Sequence, residues 1–381
     1  MSLGNSLIND SDFRHATASL PMNSSSSWPA KDYLCAWRRW QASVPGSGPR
    51  GYGILPYRCF RNHLLIIVAV VLCARLASAQ THVATAPVGF TTIIIPAGEA
   101  RALSLPLSNF PAYSGVISSL SGNTIQTLNA NWSNSFGPFE SNPHVVRFLS
   151  GANKGGQLRI LANTQDTLTL SASSSEVAAT LAPGDRYDIL AVSTLQSLFG
   201  ANAPGLAQNS DPNLADNIVL RGGFGWLTYY NNGAQWLRQG AGSTSQNSVA
   251  ILPEQGFLLV RHGYAPFAFT VAGPVPMATL RSKLPAGKVT SFGNRFPADL
   301  RLSDLKLNLL PEWVANPLAL AADFVLIYQS SAWHSYYYNG SIWLEEETGA
   351  GPQDPIIALG SSVLIARGAG DDATLEQAPP Y

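Results

Sequence analysis

Residues 226–236 read WLTYYNNGAQW, and residues 333–343 read WHSYYYNGSIW. The pattern Trp-x-x-Tyr-Tyr-x-Asn-Gly-x-x-Trp is written twice, 107 residues apart and without a gap. Asn-Gly between aromatic, β-favouring runs is the strongest short signal for a two-residue type I′ hairpin, because both turn residues need positive φ. Asn232-Gly233 and Asn339-Gly340 are therefore predicted to be the turns of two hairpins. In that register Tyr229 opposes Trp236 and Tyr336 opposes Trp343, so one aromatic pair recurs on the same face of both. Such a cross-strand pair is worth roughly 0.2–1 kcal/mol beyond its burial.

The match extends outward from the hairpins. Ala215-Asp216 followed by Ile218-Val219-Leu220 aligns with Ala322-Asp323 followed by Val325-Leu326-Ile327. Downstream, Phe257-Leu258-Leu259-Val260-Arg261 aligns with Val363-Leu364-Ile365-Ala366-Arg367, and upstream Pro96-Ala97-Gly98 and Phe110-Pro111-Ala112 echo Pro285-Ala286-Gly287 and Phe296-Pro297-Ala298. Matched elements in a shared order predict two copies of one β module. The first copy carries an insertion over 113–190, bounded by short Val-, Ile-, Leu- and Thr-rich runs, which reads as a small barrel of five or six strands. Helical periodicity is confined to 195–200 and 302–310. The expected fold is all-β: two related sandwich- or barrel-like modules, 80–112 plus 191–272 and 273–368, with a small β-barrel-like insertion and a loose tail over 369–381.

The first eighty residues read differently. Arg58, Arg61 and His63 precede an unbroken apolar run over 64–74, and Ala77-Ser78-Ala79 supplies small residues before Gln80. A basic lead, a short apolar core and an A-x-A exit describe a secretory signal peptide over 55–79, cleaved after Ala79. Residues 1–54 show neither strand nor helix period and are predicted to be a non-native upstream extension. Cys35, Cys59 and Cys73 all precede the cleavage point, so the mature chain has no cysteine and no disulfide framework. From residue 80 onward there are 15 Lys+Arg against 20 Asp+Glu, a net charge of −5. That balance gives no footprint for nucleic acid, and no run of the mature chain is apolar for the roughly 20 residues a membrane helix needs.

The mature start Val83-Ala84-Thr85-Ala86-Pro87-Val88-Gly89-Phe90, the Leu103-Ser104-Leu105-Pro106-Leu107 stretch and the Tyr-Tyr-x-Asn-Gly-x-x-Trp hairpin are similar to an uncharacterised family of secreted bacterial all-β proteins. The resemblance covers nearly the whole mature chain and implies location and fold, since no activity is assigned to that family. Residues 163–170 with 182–189 also resemble a small β module of secreted bacterial and phage surface proteins.

Motifs for chemistry are sparse. His82, His144, His262 and His334 are scattered without ligand spacing, and neither a His-Glu-x-x-His nor a Gly-x-Ser-x-Gly pattern occurs. Asp211, Asn213 and Asp216 place oxygen ligands on one loop, which suits Ca²⁺, although Asp216 recurs as Asp323 and so also fits a turn or capping role. Glu345-Glu346-Glu347 reads as a solvated strand end. The stronger candidates are Trp226, Tyr229, Tyr230, Trp236, Trp333, Tyr336, Tyr337 and Trp343, which either stack on sugar rings or pack as an aromatic seam where the copies meet. These observations predict an exported, non-enzymatic structural or interaction protein of the bacterial periplasm, cell surface or extracellular space, with a protein or glycan as partner. The alternative is a carbohydrate-binding protein using the aromatic hairpins, and a third reading is a hydrolase with a triad assembled from distant positions. Mass spectrometry of the exported protein is expected to find Gln80 as the first residue and no peptide from 1–54; recovery of such a peptide overturns the signal assignment.

Overall fold

The computed structural model describes residues 87–381, apart from Asn134 and Phe224. The upstream extension, the signal stretch and the three cysteines lie outside the described residues. Among the described residues, strands carry the architecture, and α-helix is limited to Ser174–Thr180 and Leu195–Phe199. The fold is all-β.

Two five-stranded antiparallel sheets dominate. In the first, the spatial order is Trp236–Arg238, Trp226–Asn231, Asn217–Arg221, Phe257–Val260, Ala100–Leu103. In the second it is Trp343–Glu345, Ala332–Tyr338, Phe324–Gln329, Ser362–Ala366, Val289–Gly293. The two orders match strand for strand. Each sheet also has a two-stranded ribbon beside it, Val88–Ile95 with Phe267–Pro274 in the first half and Leu280–Leu284 with Ala373–Gln377 in the second. A shorter pair precedes a helical turn in both: Ser193–Thr194 with Ala250–Ile251 before Leu195–Phe199, and Leu300–Arg301 with Ile356–Ile357 before the 3₁₀ turn Leu302–Leu305.

The reason for two cores follows from period-2 alternation. Ile218, Leu220, Tyr229, Trp236, Phe257 and Leu259 face inward and pack on Ile95, Phe269, Leu195 and Phe199. Val325, Ile327, Tyr336, Trp343, Val363 and Ile365 do the same against Leu284, Leu302, Leu305 and Leu375. The halves then meet along a narrow seam of small and polar residues. Leu103 bridges Ser361 and Gln255 bridges Phe292, and the Ser104 amide donates to the Gly360 carbonyl at 2.8 Å. Gly256 is required there, since a Cβ on it would lie 2.2 Å from Cβ of Ser362.

Residues 111–191 form a seven-stranded antiparallel sheet in the order Pro111–Val116, Arg186–Ala191, His144–Phe148, Gln157–Asn163, Thr167–Leu170, Thr124–Gln126, Ser119–Ser121. Its two edge strands are consecutive in the chain, separated only by Ile117 and Ser118, so the sheet must curl until its edges nearly meet. Ile117 donates to the Asp185 carbonyl and Ser118 to the Gln126 carbonyl, tying the two edges. The interior is filled by Ile125, Val146, Phe148, Ile160, Leu168 and Tyr187. Helix Ser174–Thr180 inserts Val177 into this core and is capped by Ser173, whose hydroxyl accepts from the Glu176 amide at 3.2 Å. That helix is unanticipated by hydrophobic period, and the Ser173-x-x-Glu176 capping signature is its one sequence cue.

Two expectations are corrected. The hairpin turns are centred one residue later than predicted, on Gly233-Ala234 and Gly340-Ser341. Asn231 pairs with Trp236 and Tyr229 with Arg238; Tyr338 pairs with Trp343 and Tyr336 with Glu345. Only the glycines take positive φ, 95° and 102°. The cause is the asparagine side chain: Asn232 Oδ1 accepts the amides of Ala234 and Gln235, and Asn339 Oδ1 those of Ser341 and Ile342. A side chain that satisfies the turn amides holds Asn at the corner rather than at its centre. The pairing slips by two positions, so every side chain keeps its face. The second correction concerns the tail. Ala373–Gln377 is a strand that closes the second half, with Ala373, Leu375 and Gln377 buried, and the Tyr381 hydroxyl donates to the Pro276 carbonyl at 2.6 Å.

A buried ion pair closes each half. Arg261 Nε donates to Asp216 Oδ2 at 2.7 Å, with both side chains at most 2% exposed. Arg367 Nε lies 3.5 Å from Asp323 Oδ2 with the same burial. Removing one member of a buried pair strands the other charge, so Asp323→Ala is expected to cost about 3–5 kcal/mol in urea unfolding, and Asp216→Ala a similar amount. A loss below about 1 kcal/mol, the scale of an exposed pair, would show that the pairs do not hold the halves.

Candidate functional site

Six of the eight duplicated aromatics are buried and present no ring to a ligand: Tyr229, Tyr230, Trp236, Tyr336, Tyr337 and Trp343. Trp236 is 0% exposed, packs 5.7 Å from Phe199 and donates its indole N–H to the Gly200 carbonyl at 2.9 Å. Trp343 packs against Trp313 and Tyr338, with centroids at 5.9 and 5.5 Å. Tyr230 sits with Ala215 and Leu237 on the opposite face of its sheet, and Tyr337 with Phe324 and Ala322. Each ring therefore serves its own half. They form neither a shared ligand platform nor a seam between the halves, because the seam is built from backbone and small side chains.

Trp226 and Trp333 are the accessible members. Trp226 is 38% exposed and lies in a recess of about 400 Å³ with Thr228, Arg238 and Gln239. The Arg221 guanidinium lies 5.7 Å from its ring centroid, a cation–π distance. Trp333 occupies the corresponding place in the second sheet, where Tyr328 meets it edge-on at 5.1 Å. Next to it, His334 Nδ1 and Glu345 Oε1 are 3.0 Å apart. The Thr348 hydroxyl first, and then His334, hold the Glu345 carboxyl below its ordinary range. An imidazole oriented by a carboxylate is two-thirds of a hydrolytic triad. Among the described residues, no side-chain hydroxyl is hydrogen-bonded to the other ring nitrogen of His334.

The calcium candidates do not converge. Asp216 spends all its lone pairs on the fold: Oδ2 accepts from Arg261 and the Ala207 amide, Oδ1 from the amides of His262 and Gly263. Asp211 Oδ1 accepts from the Asn213 amide and side chain at 2.9 and 3.0 Å, closing a local turn. Among the described residues no group of three or more His, Asp or Glu side chains could hold a metal.

A second cleft, of about 420 Å³, opens where the inserted sheet abuts the first half. Asn142 and His144 come from the inserted sheet, Thr194 and Gln196 from the start of helix Leu195–Phe199, and Ser245 and Asn247 from the loop after the first aromatic hairpin. The volume falls within the roughly 300–1,000 Å³ typical of small-ligand sites. His144 Nδ1 is 3.0 Å from the Asn142 carbonyl, which can only accept, so Nδ1–H is the donor of that bond. Asn247 Oδ1 accepts from the Trp236 amide at 2.9 Å and its carbonyl from the Gln196 amide at 3.1 Å, which fixes the cleft wall to the hairpin. Among the described residues, no carboxylate, ammonium or guanidinium lines the cleft. Sequence reading missed it because its residues come from separate segments, none of which carries a motif. Millimolar calcium, or its removal by EDTA, is expected to leave the thermal midpoint unchanged in scanning calorimetry; an upward shift with calcium would restore the Asp211 loop as a metal site.

No protein-family model, no curated protein and no solved structure matches the chain.

Proposed function

We propose that this is an exported, non-enzymatic binding protein of the bacterial surface or extracellular space. Two copies of one β module form its scaffold, and the cleft beside the inserted sheet takes an uncharged glycan. Export is supported by the signal-like stretch over 55–79 and by a mature chain free of cysteine. The common origin of the halves is supported by their matching strand order and by Asp216/Asp323, Arg261/Arg367, Asn232/Asn339 and Trp236/Trp343 at corresponding places.

One observation carries the ligand class: the polar side chains on the cleft wall are amides, hydroxyls and an imidazole, with no carboxylate, ammonium or guanidinium among the described lining residues. Side-chain amides and hydroxyls both donate and accept, which suits sugar hydroxyls that do the same. A charged ligand would leave its charge desolvated and unpaired there, a cost of several kcal/mol. The glycan reading thus moves from the buried hairpin rings, where six of eight are unavailable, to a neutral polar cleft.

Saturation-transfer NMR and a panel of neutral oligosaccharides are expected to detect binding by the mature chain. Gln196→Ala and Ser245→Ala should each weaken it about five- to tenfold, the loss of one hydrogen bond, with unchanged circular dichroism. Failure of every neutral glycan to bind, or retention of full affinity in both variants, would leave a purely structural role as the better account.

A further inference from the structure

The ribbon beside the first sheet is built unlike its counterpart. Val88–Ile95 and Phe267–Pro274 pair over eight residues without a bulge, and neither strand contains a charged residue. Ile93, Ile95, Phe269 and Val271 turn toward the first core. Val88, Phe90 and Ile94 turn outward and are 61%, 80% and 56% exposed. Thr92, Ala268, Thr270 and Ala272 complete that exposed face.

The main chain follows the same alternation. The Val275 amide donates to the Pro87 carbonyl, so the odd-numbered residues of Val88–Ile95 direct their backbone groups at the neighbouring strand. Those of Val88, Phe90, Thr92 and Ile94 point the other way, and among the described residues no protein group bonds them. The second half treats the equivalent edge differently. Leu280–Leu284 is shorter and carries Arg281 and Lys283 outward. The inserted unit caps it: the Arg281 amide donates to the Gly155 carbonyl at 3.0 Å, and Lys283 pairs with Glu176. Short length, charge and cover are what keep a strand edge from pairing with another chain. The first ribbon has none of the three, and the second half shows that the framework folds without an open apolar edge.

We propose that Val88–Ile95 is a self-association edge, at which two copies of the chain join by antiparallel pairing of this strand with itself across a two-fold axis at Thr92. The alternation decides the register. The main-chain groups left open belong to the even-numbered residues, so Thr92 faces the second copy's Thr92, and Phe90 faces the second copy's Ile94. The two ribbons then form one four-stranded sheet, and Phe90 and Ile94 become cross-strand neighbours on its outer face. A second copy is the occupant because the edge is its own complement, as a two-fold contact requires, and brings no charge against it. A strip of this size, roughly 300–600 Å² on each copy, brings the joined area near the ~1,000 Å² at which specific interfaces begin. The dimer is therefore reversible rather than obligate.

Sedimentation velocity of the mature protein across the micromolar range is expected to show a monomer–dimer equilibrium. Thr92→Pro removes an amide that the single chain leaves unused. It should weaken the dimer at least about tenfold, the loss of the hydrogen bonds at the axis. Thr92→Lys and Thr92→Glu, with unchanged circular dichroism, should each stay monomeric alone, because like charges then face each other. Mixed together, they should dimerise. Lys283→Ala, on the capped edge, should leave the dimer unchanged. A monomer at every concentration would overturn the proposal and leave the edge to a strand of another protein. Dimerisation of Thr92→Lys alone, no dimer in the mixture, or loss of the dimer in Lys283→Ala would each overturn the pairing at Thr92.

Discussion

A single buried carboxylate organises each half. Asp216 stands immediately before the central strand Asn217–Arg221, and Arg261 immediately after its neighbour Phe257–Val260. Their contact pins the register in which Asn217 faces Val260. The Arg261 amide donates to the Glu99 carbonyl, which brings the strand Ala100–Leu103 into the same knot. The Asp216 side chain also takes the Ala207 amide, so the loop before the sheet is drawn back onto it. In the second half, Asp323 accepts from Val314 and Gly368, and Arg367 donates to the carbonyls of Leu284, Glu312 and Asp371. A desolvated ion pair needs further hydrogen bonds to its two partners, and main-chain groups supply most of them here, leaving Arg261 Nη1 and Arg367 Nε without one. The pair is therefore a device for register more than a source of net stability.

With register fixed, the aromatic hairpins have one task. Trp236 and Tyr229 fill the space between the first sheet and its ribbon, and Trp343 and Tyr336 do so in the second. A strand's alternate residues are committed once one face is buried, and a slip of one position would put these rings in solvent. The asparagine caps forestall that slip by taking the turn amides themselves. Repeated residues thus mark what the framework needs. The halves differ at their surfaces, with Arg221 against Tyr328 and Arg238 against Glu345.

Strand positions, face assignment and the parallel order of elements were legible in the sequence because they rest on period-2 alternation and on fixed offsets. The turn centre was not. Asn-Gly fits a type I′ turn by backbone preference, but an Asn side chain that accepts two amides competes with that preference and wins. Helix Ser174–Thr180 was hidden because one buried residue, Val177, leaves no helical period. The strand Ala373–Gln377 was masked by Asp371 and Asp372 before it and by Pro379 and Pro380 after it, although its inward residues alternate cleanly. Asp216 looked like an oxygen ligand on a loop until Arg261, 45 residues away, was seen to be its partner. Such long-range pairing leaves no local trace.

The cleft is a consequence of where the insertion enters. Pro111 pairs with Leu190, so the chain leaves and rejoins the first half at adjacent points. In the second half the corresponding turn, Phe296-Pro297-Ala298, runs directly into Leu300–Arg301. The inserted sheet therefore lies against the start of helix Leu195–Phe199 and the loop after the first hairpin, and Ser248 donates to the Glu140 carbonyl to hold that contact. Only the first half gains a second wall, and only there do Asn142 and His144 face Gln196 and Asn247. Two halves of matching strand order thus present different surfaces, because the sheet of residues 111–191 lies beside only the first of them.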